Sequence, residues 1–169
     1  MASSSLKPAF QKDGTVTAGN SSGINDGAAA LVMMSLNKAK ELGIKPLARI
    51  VATGSAAVDA KIMGMGVVPS VKRALHFANL PMEAIDYWEI NEAFAAQIIG
   101  CNRELKIPLD KMNANGGGIS LGHPVGMTGA RLIVSLVHEM VRRNVRHGGA
   151  SLCGGGGPST SMIIERWEE

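Results

Sequence analysis

Residues 150–167 have the sequence ASLCGGGGPSTSMIIERW, in which four consecutive glycines separate two short runs rich in apolar residues. Short apolar runs bounded by glycine and proline are typical of strands. The sequence therefore predicts two strands, over 150–153 and 161–167, joined by the loop 154–158. Twelve of the 21 glycines lie after residue 110, so we expect tight turns and close approaches of the backbone to other groups in this part of the chain.

Upstream of this pair, strand-like and helix-like patterns alternate along the chain. Such alternation is typical of an α/β domain whose mostly parallel sheet is covered by helices on both faces. Residues 28–35 are apolar almost throughout, which fits a buried strand and also a short buried helix, and we favour the strand. The predicted strands are 28–35, 47–57, 85–90 and 111–114, and the predicted helices are 37–43, 69–78, 92–106 and 125–143.

Length and composition indicate one globular domain. The chain has 169 residues, of which 46% are hydrophobic and 18% are charged, and this is too apolar for a disordered chain. Its two cysteines cannot form a disulfide framework, and the start of the sequence lacks the features of a signal peptide. We therefore expect a reducing compartment, the cytoplasm or, in a eukaryote, the mitochondrial matrix.

Composition and spacing also argue against several kinds of binding site. The longest apolar runs, 28–34 and 132–137, are far shorter than the roughly 18 residues that span a bilayer. The net charge of +3 is small, and no basic cluster carries interleaved aromatic residues, so nucleic acid is not expected as a partner. The four histidines and two cysteines lack the paired spacing of zinc ligands, and no metal site is predicted.

Three side chains at the ends of predicted elements are candidates for chemistry, and each also has an ordinary structural interpretation. Asn91 precedes a predicted helix and fits an N-cap. His123 lies at the start of a helix, whose positive pole favours the neutral imidazole that a general base needs, and it also fits a loop histidine. Cys153 ends an apolar strand and fits a buried packing residue.

The glycines that follow Cys153 favour a reactive role for this cysteine. Without side chains, the backbone N–H groups of Gly154 and Gly155 can approach an acyl oxygen or a thiolate closely. Cys101 lies in the middle of a predicted helix without such surroundings and is interpreted as a packing residue. The polar, turn-rich loop around Ser22 is a further candidate for binding.

Three ordered motifs give a more specific indication. They are NEAFA at 91–95, NGGG at 115–118 followed by GHPVG at 122–126, and CGGGG at 153–157. Together they resemble the C-terminal signature set of the thiolases, and the resemblance extends over residues 6–166. It implies one half of a layered α/β/α/β/α fold: a thiolase-like C-terminal half with a mixed, mostly parallel five-stranded sheet covered by helices.

The resemblance also divides the chain into parts. Residues 1–5 are expected to be a tag-like or disordered start. Residues 6–45 are expected to be the end of the loop region with the last strand and helix of the thiolase N-terminal half, and residues 46–169 the thiolase C-terminal domain. The nucleophilic cysteine of the family belongs to the N-terminal half. Because neither Cys101 nor Cys153 fits that role, the chain by itself is expected to be inactive.

The resemblance implies roles for individual residues. His123 would activate the nucleophilic cysteine, Cys153 would move a proton at the substrate α-carbon or the CoA sulfur, and Asn91 would hold a water of the oxyanion hole. Gly154 and Gly155 would provide a backbone loop for an oxyanion. The residues implied to line the CoA and acyl path are Ser22, Ala18, Gly19, Phe10, Met63 and Phe94.

The implied activity is that of an acyltransferase of fatty acid metabolism. It condenses acetyl-CoA with an acyl-CoA to give a 3-ketoacyl-CoA and CoA, or catalyses the reverse thiolysis. Asn91 favours a thiolase over the decarboxylating ketoacyl synthases, which carry histidine at this place. CoA thioesters are then the substrates and no cofactor is required, although the acetoacetyl-CoA thiolases, which the motifs resemble most, imply a potassium-sensitive site near Ala18 and Ile119.

Two further expectations concern partners and an alternative function. The missing N-terminal half is expected as a partner in cis or in trans. The apolar run 28–34 would be exposed without that half, and exposed apolar patches drive association, so a homo-oligomer is also expected. The alternative to an acyltransferase is a non-catalytic CoA-binding or assembly module.

Overall fold

The computed structural model describes residues 5–168, so residues 1–4 of the predicted tag-like start lie outside the described residues. Short 3-10 turns lie at Ala18–Asn20, Ala60–Gly66, Met82–Ala84 and Leu109–Lys111. The strands are β1 (Ala48–Ala57), β2 (Tyr87–Ile90), β3 (His147–Cys153) and β4 (Pro158–Arg166), and the helices are α1 (Leu36–Glu41), α2 (Val67–Ala78), α3 (Ala95–Leu105), α4 (Gly118–Leu121) and α5 (Thr128–Arg143).

The four strands form one mixed sheet in the order β1-β4-β3-β2. β4 pairs antiparallel with both β1 and β3, whereas β2 and β3 are parallel. The α/β class is confirmed, but the prediction of a mostly parallel, five-stranded sheet is wrong. Only the short glycine loop joins β3 to β4, and parallel neighbours need a crossover of a dozen or more residues. The expected strand 111–114 is reduced to one isolated bridge between Met112 and Trp88.

Helices cover both faces of the sheet around two apolar clusters. On one face, α2 and α3 pack against Trp88 and Ile90 of β2. On the other face, an apolar stripe of α5 that includes Leu136 packs against Tyr87. Alternate residues of β2 serve the two layers because successive side chains of a strand point to opposite faces. None of the helices within residues 5–168 is long and apolar enough to cross a membrane.

Residues 28–35 do not form the predicted strand. They have no regular secondary structure, and several of their apolar side chains are exposed, with Val32 at 89% and Met33 at 66%. A strand pairs its backbone groups with a neighbour, and none of the strands in the described part of the chain pairs with this segment. The apolar pattern correctly indicates side chains suited to burial, but no part of residues 5–168 covers this segment as a neighbouring strand would.

Candidate active site

Asn91 directly follows β2 and is completely buried. Its N–H donates to the carbonyl oxygen of Ser151 in β3 at 2.9 Å, which continues the parallel pairing by one residue. The next helix begins only at Ala95, and its N-cap is Phe94, so the interpretation of Asn91 as an N-cap is wrong. The backbone of Asn91 is therefore held at the carboxyl end of the parallel strands by β-pairing, and Asn91 does not cap the helix.

A glycine and a distant asparagine fix the backbone at His123. Gly122 has a φ of 98°, which L side chains rarely adopt, and a Cβ on it would lie 2.6 Å from the Oδ1 atom of Asn25. The same Oδ1 atom accepts the N–H of His123 at 3.0 Å. Ile24 also forms a parallel bridge with His123. Ile24 and Asn25 thus hold His123 in place from a remote part of the sequence.

Hydrogen bonds determine which ring nitrogen of His123 carries the proton. The Thr128 hydroxyl donates to the carbonyl oxygen of Pro124 at 2.9 Å, so its oxygen accepts the Nδ1–H of His123 at 2.7 Å. The Nε2 atom is then unprotonated and accepts the Nδ2–H of Asn91 at 3.2 Å. Burial, and then the charge of Arg131, lower the pKa of His123. At neutral pH the imidazole is therefore a neutral base with Nε2 as its acceptor.

Cys153 ends β3, two residues after Ser151, which pairs with Ile90 of β2. Because β2 and β3 are parallel neighbours, the ends of both strands lie at the same sheet edge, where functional groups of α/β proteins commonly meet. The thiol is 7% exposed and belongs to the cluster under α2 and α3, so it also fills space in the core. Burial raises its pKa. At neutral pH Cys153 is a thiol that carries a proton.

The loop Gly154–Gly157 is a tight hairpin turn in which some backbone N–H groups have hydrogen-bond acceptors within residues 5–168 and others do not. The N–H of Gly154 donates to the carbonyl oxygen of Pro158 at 2.7 Å, and that of Gly157 donates to Gly154 at 3.2 Å. The N–H of Gly154 is therefore used inside the hairpin. No residue in the described range accepts the N–H of Gly155, so Gly155 is the better oxyanion donor of the two predicted glycines.

Several residues predicted to bind substrate lie around Phe94. Ser21 forms an antiparallel bridge with Phe94, and the N–H of Ser22 donates to the carbonyl oxygen of Ala93 at 3.0 Å. Phe10 contacts Phe94 edge to face, with ring centroids 5.9 Å apart. Met63 and Phe94 pack against the same apolar cluster. Ala18 and Gly19 form the turn directly before this segment.

Two open cavities flank the site. One, of about 340 Å³, lies between the segments 25–29 and 124–127. The other, of about 260 Å³, lies between α3 and α4 and is lined by Ile98, Ile99, Ile119 and their neighbours. Among residues 5–168, no group of three or more His, Cys, Asp or Glu side chains is arranged to hold a metal ion.

The structure adds residues that the sequence interpretation missed. Thr128 and Asn25 contact His123 directly, as described above. Glu92 accepts Asn113 Nδ2 at 3.0 Å and the N–H of Ile119 at 3.3 Å, so it ties the strand end to α4. Thr128 had a detectable signal, a hydroxyl in the first turn of the helix that follows His123, whereas nothing local distinguishes Asn25.

Comparison with known proteins identifies two family models along the chain. Residues 44–166 match the model described as "Thiolase, C-terminal domain", and residues 3–37 match "Thiolase, N-terminal domain". An acetyl-CoA acetyltransferase of Cupriavidus necator is 54% identical over 163 residues, which are 96% of this chain and 42% of the relative. A probable acetyl-CoA acyltransferase of Staphylococcus epidermidis is 50% identical over 96% of this chain and 41% of its own length.

Solved structures agree with these sequence matches. The acetyl-CoA acetyltransferase of Bacillus anthracis superposes with a TM-score of 0.97 at 53% identity. The human mitochondrial 3-ketoacyl-CoA thiolase in complex with CoA superposes with a TM-score of 0.92 at 42% identity. Each comparison covers 98% of this chain and 42% of the solved one. The chain thus spans about two fifths of the length of the proteins that it matches.

Proposed function

The chain belongs to the thiolase family, and we propose that it supplies His123, Cys153 and Asn91 to the active site of a thiolase-type acyltransferase. This enzyme would condense acetyl-CoA with an acyl-CoA, or cleave a 3-ketoacyl-CoA with CoA. The observation that carries the proposal is the set of hydrogen bonds from Thr128 through His123 to Asn91. It leaves a neutral imidazole with Nε2 as its acceptor at the sheet edge where Cys153 also lies.

In the thiolysis direction, the proposed mechanism begins with a cysteine that this chain does not supply. His123 Nε2 takes the proton of that thiol, and the thiolate attacks the 3-keto carbon of the substrate. The bond between C2 and C3 breaks, and C2 of the departing acetyl-CoA enolate takes the proton of Cys153. CoA then gives its thiol proton to the Cys153 thiolate and attacks the acyl-cysteine, which releases acyl-CoA and the first cysteine as a thiolate. That thiolate takes its proton back from His123 Nε2, so all groups return to their starting states.

Asn91 and Gly155 would stabilise negative charge on oxygen during these steps. The Oδ1 atom of Asn91 is buried and accepts no hydrogen bond from the described residues. An unused acceptor of this kind is suited to hold a water that in turn donates to an enolate oxygen. Gly155 would donate its N–H to the thioester oxygen in the step that forms or breaks the acyl-cysteine.

The proposed substrate path follows the contacts around Phe94. The backbone at Ser22 lies beside Ala93, and Phe10 and Phe94 offer an aromatic surface. Ala18 and Gly19 would extend this path toward the pantetheine and adenine of CoA, and Met63 would line the acyl side. The implied potassium-sensitive site near Ala18 and Ile119 stays a prediction.

We propose two kinds of protein partner for the exposed apolar segment 28–34. The first is the part of a thiolase that carries the nucleophilic cysteine, in cis or in trans. The second is a further copy of this chain, giving a homo-oligomer. A cytoplasmic location, which rests on the small number of cysteines, and a place in fatty acid metabolism, which rests on the resemblance, complete the proposal.

Thiolysis of acetoacetyl-CoA tests the proposal when two samples are compared. One is the purified chain, and the other is the chain co-expressed with the N-terminal part of the Bacillus anthracis relative. We expect turnover in the second sample only. His123→Ala and Cys153→Ala should each lower it by about 10²-fold or more, whereas Cys101→Ala, which changes a core cysteine, should retain it.

Three other outcomes would change the conclusion. Turnover by the chain alone would mean that it carries its own nucleophile. Turnover that survives both His123→Ala and Cys153→Ala would refute the proposed roles. CoA binding to the chain in calorimetry, without turnover in any reconstituted sample, would favour the CoA-binding or assembly module.

A further inference from the structure

A buried ion pair joins the strand that leads to Asn91 with the helix of Thr128, the hydrogen-bond partner of His123. Arg131 Nη1 donates to Glu89 Oε2 at 3.3 Å, and the other carboxylate oxygen of Glu89 accepts the Tyr87 hydroxyl at 2.9 Å. The Tyr87 oxygen in turn accepts the N–H of Ala114 at 2.7 Å. The Glu89 side chain is fully buried and that of Arg131 is 16% exposed. Burying an ion pair is costly unless further hydrogen bonds compensate for the lost hydration, and here the Tyr87 hydroxyl supplies one to Glu89.

The ion pair joins the two elements that deliver the proposed catalytic groups. Glu89 lies on β2 two residues before Asn91, and both side chains point to the same side of the strand. Arg131 lies on α5 three residues after Thr128, which places both on one face of the helix. The pair therefore links the carrier of Asn91 to the helix that holds Nδ1 of His123.

The charge of Arg131 is only partly compensated. Burial raises the pKa of Glu89 to about 7, so near neutral pH the carboxyl is protonated in part of the molecules. The Nη2 atom of Arg131 is buried, and no side chain or carbonyl within residues 5–168 accepts its hydrogens. A positive charge left in this state acts on its surroundings, and it disfavours a second positive charge nearby.

The other charged and titratable groups around His123 do not supply this effect. Glu92, which follows β2, is used by Asn113 and Ile119, and Asp26 lines the cavity beside Pro124. The Cys153 thiol on β3 is protonated because burial raises its pKa. Burial is the larger cause of the lowered pKa of His123, and the charge of Arg131 lowers it further.

We propose that Arg131, held by Glu89, is a positioning residue that acts together with burial to keep His123 neutral and ready to accept a proton at Nε2. The inference rests on the proposed function, since it concerns the base of that reaction. Arg131 acts through its charge and through the link between α5 and β2, and it need not touch the substrate.

Titration of His123 by NMR in the histidine-labelled chain tests this inference without any need for turnover. A His123→Gln spectrum assigns the signal among the four histidines. We expect Arg131→Gln to raise the pKa of His123 by about 0.5 to 1 unit. Arg131→Lys, which retains the charge, should leave it within about 0.3 unit of the parent value. Arg103→Gln removes the same charge from the surface of α3 and should have no effect.

Glu89→Gln separates an electrostatic role from a merely structural one. This variant also breaks the ion pair, but it removes a negative charge, so the pKa of His123 should stay low or fall further. A structural ion pair would shift the pKa in the same direction in Arg131→Gln and Glu89→Gln, and that result would overturn the proposal. So would a pKa in Arg131→Gln that matches the parent. If the pKa of His123 changes as expected in all variants but the reconstituted parent enzyme shows no turnover, the proposed function is contradicted and this inference stands.

Discussion

Replacing Thr128 with valine removes one hydroxyl from a fully buried side chain and leaves its shape nearly unchanged. Two partners lose one hydrogen bond each: the Nδ1–H of His123 and the carbonyl oxygen of Pro124, which still accepts the N–H groups of Met127 and Thr128. A buried polar group without a partner costs about 1–3 kcal/mol. Because the Pro124 carbonyl keeps two backbone hydrogen bonds and the His123 side chain is partly exposed, the expected loss in the free energy of unfolding is about 1–2 kcal/mol.

The same substitution should change the tautomer of His123. The bond from Nδ1–H to Thr128 is worth about 0.5–1.5 kcal/mol net, which corresponds to a roughly 2- to 10-fold change in the ratio of the two tautomers. The form protonated at Nε2 should therefore become populated in Thr128→Val. In that form the nitrogen facing Asn91 no longer accepts a proton, so turnover in the reconstituted enzyme should fall in proportion.

Two measurements check this prediction. Urea unfolding followed by circular dichroism gives the stability difference, and ¹⁵N shifts of labelled histidine give the tautomer ratio. Thr128→Ser is the matched control, because it retains the hydroxyl and should keep both properties close to the parent. If Thr128→Val loses less than about 0.5 kcal/mol and its His123 tautomer is unchanged, the assignment of the His123 proton to Nδ1 is refuted.

Three further predictions follow from other parts of the structure. A Cβ on Gly149 would lie 2.2 Å from the Trp88 ring, so Gly149→Ala should destabilise the fold by about 3 kcal/mol or more in urea unfolding; an effect below about 1 kcal/mol would contradict the close contact between strand and ring. Burial raises the pKa of Glu139, but hydrogen bonds from Arg142, Asn115 and Arg143 outweigh burial and bring the pKa from 4.5 to about 2. The stability that ionised Glu139 contributes is present above pH 4.5 and is lost as the pH falls toward 2. Glu139→Gln should therefore flatten the acid side of a plot of stability against pH, and an unchanged acid side would refute the lowered pKa. In Cys101→Ala, alkylation of Cys153 by iodoacetamide should be slower than that of a free thiol and still accelerate above pH 9.0, because burial raises the thiol pKa above that value; a plateau near pH 7 would show a thiolate instead.

Local sequence patterns predicted the helices that pack one apolar face against the sheet. The core stripe of α5 and the proline near the start of α2 gave helices at nearly the observed positions, because helical periodicity is a property of neighbouring residues. Strand direction is different, since it depends on which strand lies next to which. The short loop between β3 and β4 requires an antiparallel pair, but the pairing of β4 with β1, which is remote in the sequence, had no counterpart in any single pattern.

Residue type alone pointed to part of the site. A histidine between glycine turns and a cysteine before four glycines are unusual enough to be noticed one at a time, and the order of the motifs led to the family. What the sequence by itself determined is thus the α/β class, the thiolase resemblance and the candidates His123, Cys153 and Asn91. These depend on chemistry and spacing that the linear chain already contains.

Only the tertiary structure decided how these groups are held. The oxygen that fixes the His123 backbone belongs to Asn25, 98 residues away, and the carboxylate paired with Arg131 lies 42 residues earlier in the chain. The structure also decided that Asn91 caps no helix and that residues 28–35 form no strand in the described range. The physical reason is that hydrogen bonds, burial and the resulting pKa shifts depend on distances through space, which a sequence specifies only once the chain has folded.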